Sequence, residues 1–259
     1  MKMIKLLASC AAAVVLLTSA VYVKHQQFNK SKPVNFDSGK GFAVLELFTS
    51  EGCSSCPPAD ELLEHIQNEV GNQPVYILAY HVDYWNRLGW KDVFSNPDFS
   101  KRQYWYNSKF TSQVYTPQLI LNGSAEFVGS DETKIRSNLT SALNGKAATS
   151  LTLQARRRNG AINIQYQLQG KPVLGQLVVA LVQKHAVSQV KAGENEGRRL
   201  THIQIVRNLR KFPITTQGYG NEIIDLPAGF NSREWEVIGF IQSQETGEIL
   251  SAARAEYSE

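Results

Sequence analysis

The chain has 259 residues, 42% of them hydrophobic, with 4 Trp, 10 Tyr and 11 Phe. That is enough apolar mass for one large or two ordinary domains, and it excludes a disordered chain. The formal net charge of +4 is small and scattered. The triplet Arg156–Arg157–Arg158 has no interleaved aromatic residues and reads as a solvated face, so no nucleic-acid partner is expected.

At the N-terminus, Lys2 and Lys5 precede an apolar run from Leu6 to Val23 that Lys24 closes. Two readings fit: a secretory signal peptide over residues 1–23, with small residues for cleavage at Thr18-Ser19-Ala20, or an uncleaved N-terminal anchor of the same extent. Leu7-Ala8-Ser9-Cys10 has the form of a lipoprotein cleavage box. The apolar stretch before Cys10 is too short for a signal peptide's hydrophobic region, which argues against lipidation. Either main reading exports the rest of the chain to a periplasmic or extracytoplasmic location. Membrane contact is expected only through residues 6–23. Residues 24–40 are polar, contain Pro33 and Gly39, and read as a linker.

Residues 42–48 form a nearly continuous apolar run, as a buried strand requires. FTSEGCSSCPPADELL follows, spanning 48–63 and placing Cys53 and Cys56 between that strand and a helical pattern of Leu62, Leu63, Ile66 and Val70. Residues 74–82 form a second buried strand, so the order strand, helix, strand predicts a right-handed parallel unit. An aromatic, polar insert covers 83–115, with a helix expected over 98–110. Residues 118–122, the Asn122-Gly123 turn and residues 126–128 read as a hairpin. Ser130 or Asp131 caps a last helix bearing Ile135, Leu139 and Leu143, which ends at Gly145.

The pattern changes near Thr149. Residues 161–169 alternate apolar and polar as a half-buried strand does. Further strands are expected over 150–156, 176–183, 200–206, 234–242 and 249–257, separated by glycine-bearing turns. The expected organisation is an α/β domain over 41–147 and an all-β, sandwich-like domain over 148–259.

Export makes the cysteines informative. Cys10 lies in the apolar run, so the exported body retains Cys53 and Cys56. In an oxidising compartment they are expected to pair. A bridge across so short a loop restrains little unfolded-state entropy, which favours a redox role over a structural staple. A cysteine just before a helix meets the positive end of the helix dipole, which favours thiolate. The first cysteine of such a turn is expected to be the more exposed, so Cys53 attacks a target disulfide and Cys56 resolves the mixed disulfide. Pro57 and Pro58 place the start of the regular helix at the dithiol itself.

The order strand, Cys-x-x-Cys, helix, strand, insert, Thr-Pro, hairpin, helix resembles the thioredoxin fold. The resemblance implies that Thr116-Pro117 is the cis-proline element, packing beside the dithiol and helping to present an edge to a target peptide. The chain departs from that pattern at Gly52, where an aromatic residue is usual, and at Ser54-Ser55; Glu46 only approximates the family's buried acid. LELFTSEGCSSCPPAD, LAYHVDYWNRLGWKD, VYTPQLILNG and GENEGRRLTH together are similar to a narrower group, the exported bacterial proteins of the domain-of-unknown-function 1223 family. That resemblance covers both expected domains and implies no substrate.

Two further clusters stand out. His81, Asp83, Tyr84, Trp85 and Trp90 follow the second strand, and ligands gather beyond the carboxyl ends of strands in open parallel sheets. One reading makes His81 a proton relay for Cys56, oriented by Asp83, with Tyr84, Trp85, Trp90 and Thr116 binding a peptide. The other makes His81 a hydrogen-bonded strand end and the tryptophans a cover for the core. Lys191–His202, KAGENEGRRLTH, reads either as a loop folding over the dithiol or as charges paired locally. A metal site from Cys53, Cys56, His81 and Asp83 lacks the four strong ligands usual in closed sites, so no metal is expected. The expected function is thiol–disulfide exchange with protein or peptide thiols/disulfides, without a bound organic cofactor. The alternative is a non-catalytic binding protein with a static Cys53–Cys56 disulfide.

Overall fold

The computed structural model describes residues 40–258 apart from 159, 171, 172 and 228. The expected signal peptide or anchor, and the linker before residue 40, lie outside the described residues. Among the described residues no helix is long and apolar enough to cross a membrane.

Strand β1 (Ala43–Thr49) is buried along its whole length. It lies between β2 (Val75–His81), parallel to it with Ala43 beside Val75, and β3 (Gln118–Leu121), antiparallel with Leu45 beside Leu121. A strand covered on both faces is mostly apolar on both, which explains the nearly continuous hydrophobic run. Helix α1 (Pro57–Val70) packs Leu62, Leu63 and Ile66 onto Leu45, Leu47, Ile77 and Leu119. Helix α2 (Pro97–Phe110) packs Phe99 and Tyr106 onto the other face, against Phe48, Tyr80 and Ile120. Both helices carry proline in the first turn, where the missing N–H costs nothing. Asn96 caps α2 by accepting from the Asp98 N–H at 2.9 Å. Strand β4 (Ala125–Val128) completes the hairpin, and α3 (Glu132–Leu143) begins at Asp131, whose carboxylate accepts from the Lys134 N–H.

The C-terminal half supplies β5 (Thr149–Arg158), β6 (Ala161–Gly170), β7 (Gln176–Gln189), β8 (Arg199–Pro213), β9 (Tyr219–Asp225), β10 (Trp235–Gln242), β11 (Ile249–Arg254) and β12 (Glu256–Ser258). Strand β9 is not among the expected strands: YGNEIID has a glycine and a glutamate, Gly220 and Glu222, at two of the three inward positions where a half-buried strand would show apolar residues. Strand β8 runs beside β2, with Ala79 opposite Ile205, so one eight-stranded sheet has the order β11-β10-β7-β8-β2-β1-β3-β4. Hydrogen bonding therefore continues across the boundary expected near residue 148. The second sheet, β12-β5-β6-β9, packs face to face on β7 and β10 through Leu153, Ile164, Leu181 and Val237. Gly239 lies at this interface, where a β-carbon would stand 2.5 Å from Leu153 Cδ1.

The fold is thus mixed α/β with large β-sheets. Its consequence for function is the position of β8 and the loop before it, which lie next to the carboxyl end of β2.

Candidate functional site

The turn after β1 holds the cysteines. The Cys53 N–H donates to the Ser50 carbonyl at 3.2 Å, and the Cys56 N–H donates to the Cys53 carbonyl at 3.2 Å. This tight winding sets the two Cα atoms 5.4 Å apart, and Cys53 and Cys56 are joined in a disulfide at the start of α1. Cys56 is itself the residue at the helix cap. The expectation that Cys53 is the more exposed sulfur fails, because both cysteines are 0% exposed.

Residues 190–198, between β7 and β8, lie over the backbone of this turn. Asn195, 1% exposed, donates its side-chain amide to the carbonyls of Glu51 and Cys53, each at 2.9 Å. The Glu194 carboxylate accepts from the Ser54 N–H at 3.0 Å, which lowers the Glu194 pKa. Arg198 steadies the turn by donating to Asn195 Oδ1 at 2.8 Å. Of the two readings of Lys191–His202, folding over the dithiol describes residues 193–195.

The Thr-Pro element adjoins the other side of the turn. The Thr116–Pro117 peptide is cis. The Ser55 hydroxyl lies 3.4 Å from Cys53 Sγ and 3.4 Å from the Thr116 carbonyl oxygen. Pro117 is buried beside Gly129, where an added β-carbon would touch Pro117, Leu47 and Ala59. Trp85 packs against Gly52 and donates its indole N–H to Thr116 Oγ1 at 2.8 Å. Gly52 therefore stands where a larger side chain would collide with Trp85, 3.3 Å from its Cβ. Trp90 donates to Glu51 Oε2 at 2.6 Å and lies against Gly193 of the covering loop. Tyr84 donates its hydroxyl to Gln103 on α2 at 3.1 Å, and the same hydroxyl lies beside the Thr116 side chain.

His81 is fully buried, and its Nδ1–H donates to Asp92 Oδ2 at 2.7 Å. The partner of His81 is thus Asp92, from the insert, and not Asp83. Asp83 turns to α2, where its carboxylate accepts from the Ser100 hydroxyl at 2.5 Å. Asp92 also accepts the backbone N–H groups of Glu51 at 2.9 Å and Phe94 at 2.8 Å. Burial opposes its charge, but His81 and these donors hold its pKa below the ordinary value. Burial would lower the His81 pKa; the Asp92 carboxylate, with Asp60 and Glu51 behind it, outweighs burial, and the net shift is upward.

His202 of β8 completes this layer. Its ring centroid is 4.9 Å from that of His81, and its Nε2 lies 3.3 Å from Glu51 Oε1 and 3.1 Å from the Ser188 hydroxyl. Phe94 packs on the edges of both imidazoles. His81 Nε2, His202 Nδ1 and Glu51 Oε1 are buried without a hydrogen-bond partner among the described residues. Asp60 lies one helical turn beyond Cys56, its N–H donating to the Cys56 carbonyl at 3.2 Å. Its carboxylate accepts from Thr49 Oγ1 at 3.1 Å and interacts electrostatically with His202 and His81. Burial pushes the Asp60 pKa up to about 6, against the pull of those two histidines. Asp60 keeps some surface in a groove of about 250 Å³ lined also by Pro57, Glu61, Glu64, Arg198, Arg199, Leu200 and Thr201.

Glu46 does not belong to this layer. Its carboxylate accepts from Arg102 at 2.6 and 2.9 Å and from Tyr106, while Gln242 of β10 also binds Arg102. That buried network ties β1, α2 and β10 together. Glu194 and Asn195 lie in the loop that the sequence singled out, whereas the roles of Asp60, Asp92 and His202 escaped the sequence reading. The available signals were an acid in the first turn after the dithiol, and a histidine at an inward position of a strand. Among the described residues no group of three or more His, Cys, Asp or Glu is arranged to hold a metal ion.

Fold and site define a mixed α/β protein with a covered Cys-x-x-Cys disulfide set over buried acids and imidazoles. The chain belongs to the DUF1223 family, described as "Protein of unknown function", whose model matches residues 44–242. Among solved structures it is similar to protein AGR_C_4864 from Agrobacterium tumefaciens, at 26% identity and a TM-score of 0.64, over 82% of this chain and 93% of that one. A domain of the outer membrane lipoprotein Omp28 from Porphyromonas gingivalis matches at 12% identity and a TM-score of 0.30, over 43% of this chain and 89% of that one. No curated protein matches the chain.

Proposed function

We propose that this protein is an exported, thioredoxin-like thiol–disulfide oxidoreductase acting on protein or peptide thiols/disulfides. The observation that carries the reading is the disulfide at the start of α1 with Asp60 one turn below it and His81 and His202 behind. Such a layer gives the departing thiolate a proton source. A substrate thiolate attacks Cys53 Sγ, the Cys53–Cys56 bond breaks, and its electron pair moves to Cys56 Sγ. Asp60, protonated in part near its raised pKa, gives Cys56 a proton; His81–Asp92 sustains the local charge. In the second half a further substrate thiolate attacks the mixed disulfide and releases Cys53 as thiolate. This half-reaction moves two electrons from the substrate thiols to the dithiol; a second protein or peptide disulfide, attacked by Cys53 with Cys56 resolving the mixed disulfide, takes them up and restores the bridge without an organic cofactor. Thr116, Pro117, Trp85 and Trp90 wall the approach to Cys53. The apolar run at residues 6–23 supports export, with membrane contact only through an uncleaved anchor.

A second reading keeps the disulfide static and makes the surface around Trp85 and Trp90 a binding interface. The burial of both sulfurs favours it. The reduction potential, measured by thiol trapping across defined redox buffers, decides between them. A value above about −270 mV is expected for exchange; one below about −300 mV marks an inert bridge and overturns the oxidoreductase reading.

A further inference from the structure

Exchange requires a thiolate to reach Cys53 Sγ, yet Cys53 is 0% exposed. What covers the turn is polar and matched to it group by group. Asn195 offers an N–H donor to the carbonyls of Glu51 and Cys53, and Glu194 offers an acceptor to the Ser54 N–H. A donor and an acceptor on adjacent residues are also what an extended polypeptide backbone presents.

The segment is built to leave. Gly193 and Gly197, at its two ends, adopt positive φ of 82° and 81°. Residues 196–199 are exposed, and a β-carbon at Gly197 would meet nothing within 4 Å. Only Asn195 is buried, so lifting the loop uncovers one polar side chain and the two carbonyls it holds, those of Glu51 and Cys53. Glu194 is exposed, and its bond to Ser54 is readily exchanged for water.

We infer that residues 193–197 are an internal surrogate for substrate: Glu194 and Asn195 occupy the place where the backbone of an extended peptide thiol docks, and such a peptide displaces them. The inference rests on the oxidoreductase reading and narrows it to peptides over small thiols. A small thiol supplies the nucleophile but not the donor and acceptor that replace Asn195 and Glu194, so it waits for the loop to open. The reaction is the exchange written above, with the peptide thiol oxidised and Cys53–Cys56 reduced.

The test is the rate at which Cys53–Cys56 is reduced in the full chain, followed by thiol labelling. The reductants are dithiothreitol, N-acetylcysteine methylamide, and a short unstructured peptide with one central cysteine of matched thiol pKa. In the unaltered chain the dithiothreitol rate is expected to reach a plateau as reductant rises, because loop opening becomes limiting, and the peptide is expected to outpace the methylamide about tenfold. In Glu194→Ala/Asn195→Ala the plateau is expected to vanish and the peptide's advantage to shrink to about twofold or less. A rate linear in dithiothreitol together with equal peptide and methylamide rates in the unaltered chain would overturn the inference, and needs no variant to fold. The potential of the same samples separates the two claims. Gated kinetics with a potential in the inert range sink the oxidoreductase reading and leave the cover; ungated kinetics with a potential in the exchange range do the reverse.

Discussion

His81 Nδ1 lies 2.7 Å from Asp92 Oδ2, with both side chains fully enclosed. Asp92 is also the acceptor for the Glu51 N–H, two residues before Cys53, so one carboxylate fixes both the imidazole and the entry to the cysteine turn.

Asp92→Asn is therefore expected to lower stability by about 3–5 kcal/mol, since it breaks a buried charge pair by removing one partner. The pH dependence follows from both shifts. The His81 pKa is raised, so its contribution is complete below the ordinary value near 6.5 and is lost as pH rises through the folded value. The Asp92 pKa is lowered, so its contribution is present above about 3.8 and is lost as pH falls through the folded value. Urea unfolding of both proteins should show the gap widest between about pH 4 and 6.5. A gap that does not change with pH would contradict the pairing.

Asp60 has the opposite sign. Its folded pKa of about 6 lies above the unfolded value of 3.8, so the folded state binds the proton more tightly. Stability is lost as pH rises from about 4 to 6 and stays lost above that. Asp60→Asn is expected to unfold later than the unaltered chain at pH 7, by about 1–3 kcal/mol after allowance for the surface Asp60 keeps in the groove, and equally at pH 3.5. Thermal unfolding across that range is the check.

Asp60→Asn should also slow exchange while leaving the Cys53–Cys56 bond intact. A loss of about 10²-fold at pH 7 is expected for removal of a proton-transfer group. If the rate and its pH profile are both unchanged, protons reach Cys56 by another route.

The disulfide itself should add little to stability. It closes a very short loop, worth about 2 kcal/mol or less by chain entropy. Cys53→Ser/Cys56→Ser is expected to abolish exchange and to lower the unfolding free energy by no more than that, as read by urea denaturation. A much larger loss would make the bridge a structural staple.

Gly239→Ala places a methyl group 2.5 Å from Leu153 Cδ1 between the two sheets. Overpacking there is expected to cost about 1–3 kcal/mol. Leu153→Val in the same chain should recover part of it, which a double-mutant cycle measures.

Local elements were legible in the sequence because their causes are local. The run AVLELFT is apolar but for Glu46 and Thr49 and buried at every position, which suits a strand covered on both faces. Leu62, Leu63 and Ile66 repeat at helical spacing, and Pro57 and Pro58 mark a first turn. The spacing of Cys53 and Cys56, taken with the expected export to an oxidising compartment, led to the expectation that they pair. Strand β9 was illegible because an edge strand with one face in water needs few apolar residues.

By itself, then, the sequence determined the order strand, dithiol, helix, strand, and the chemistry the dithiol can carry. Only the tertiary structure decided which polar groups surround it. Asn195 reaches the Cys53 carbonyl from 142 residues away, and it does so because β8 joins the sheet beside β2. His81 had two aspartates within a dozen residues to choose from, Asp83 and Asp92. The chain path through the insert gave it the second and left the first to Ser100. Hydrogen-bonding capacity is common to many side chains and carries no address, so partners are assigned by the backbone that brings them within 3 Å.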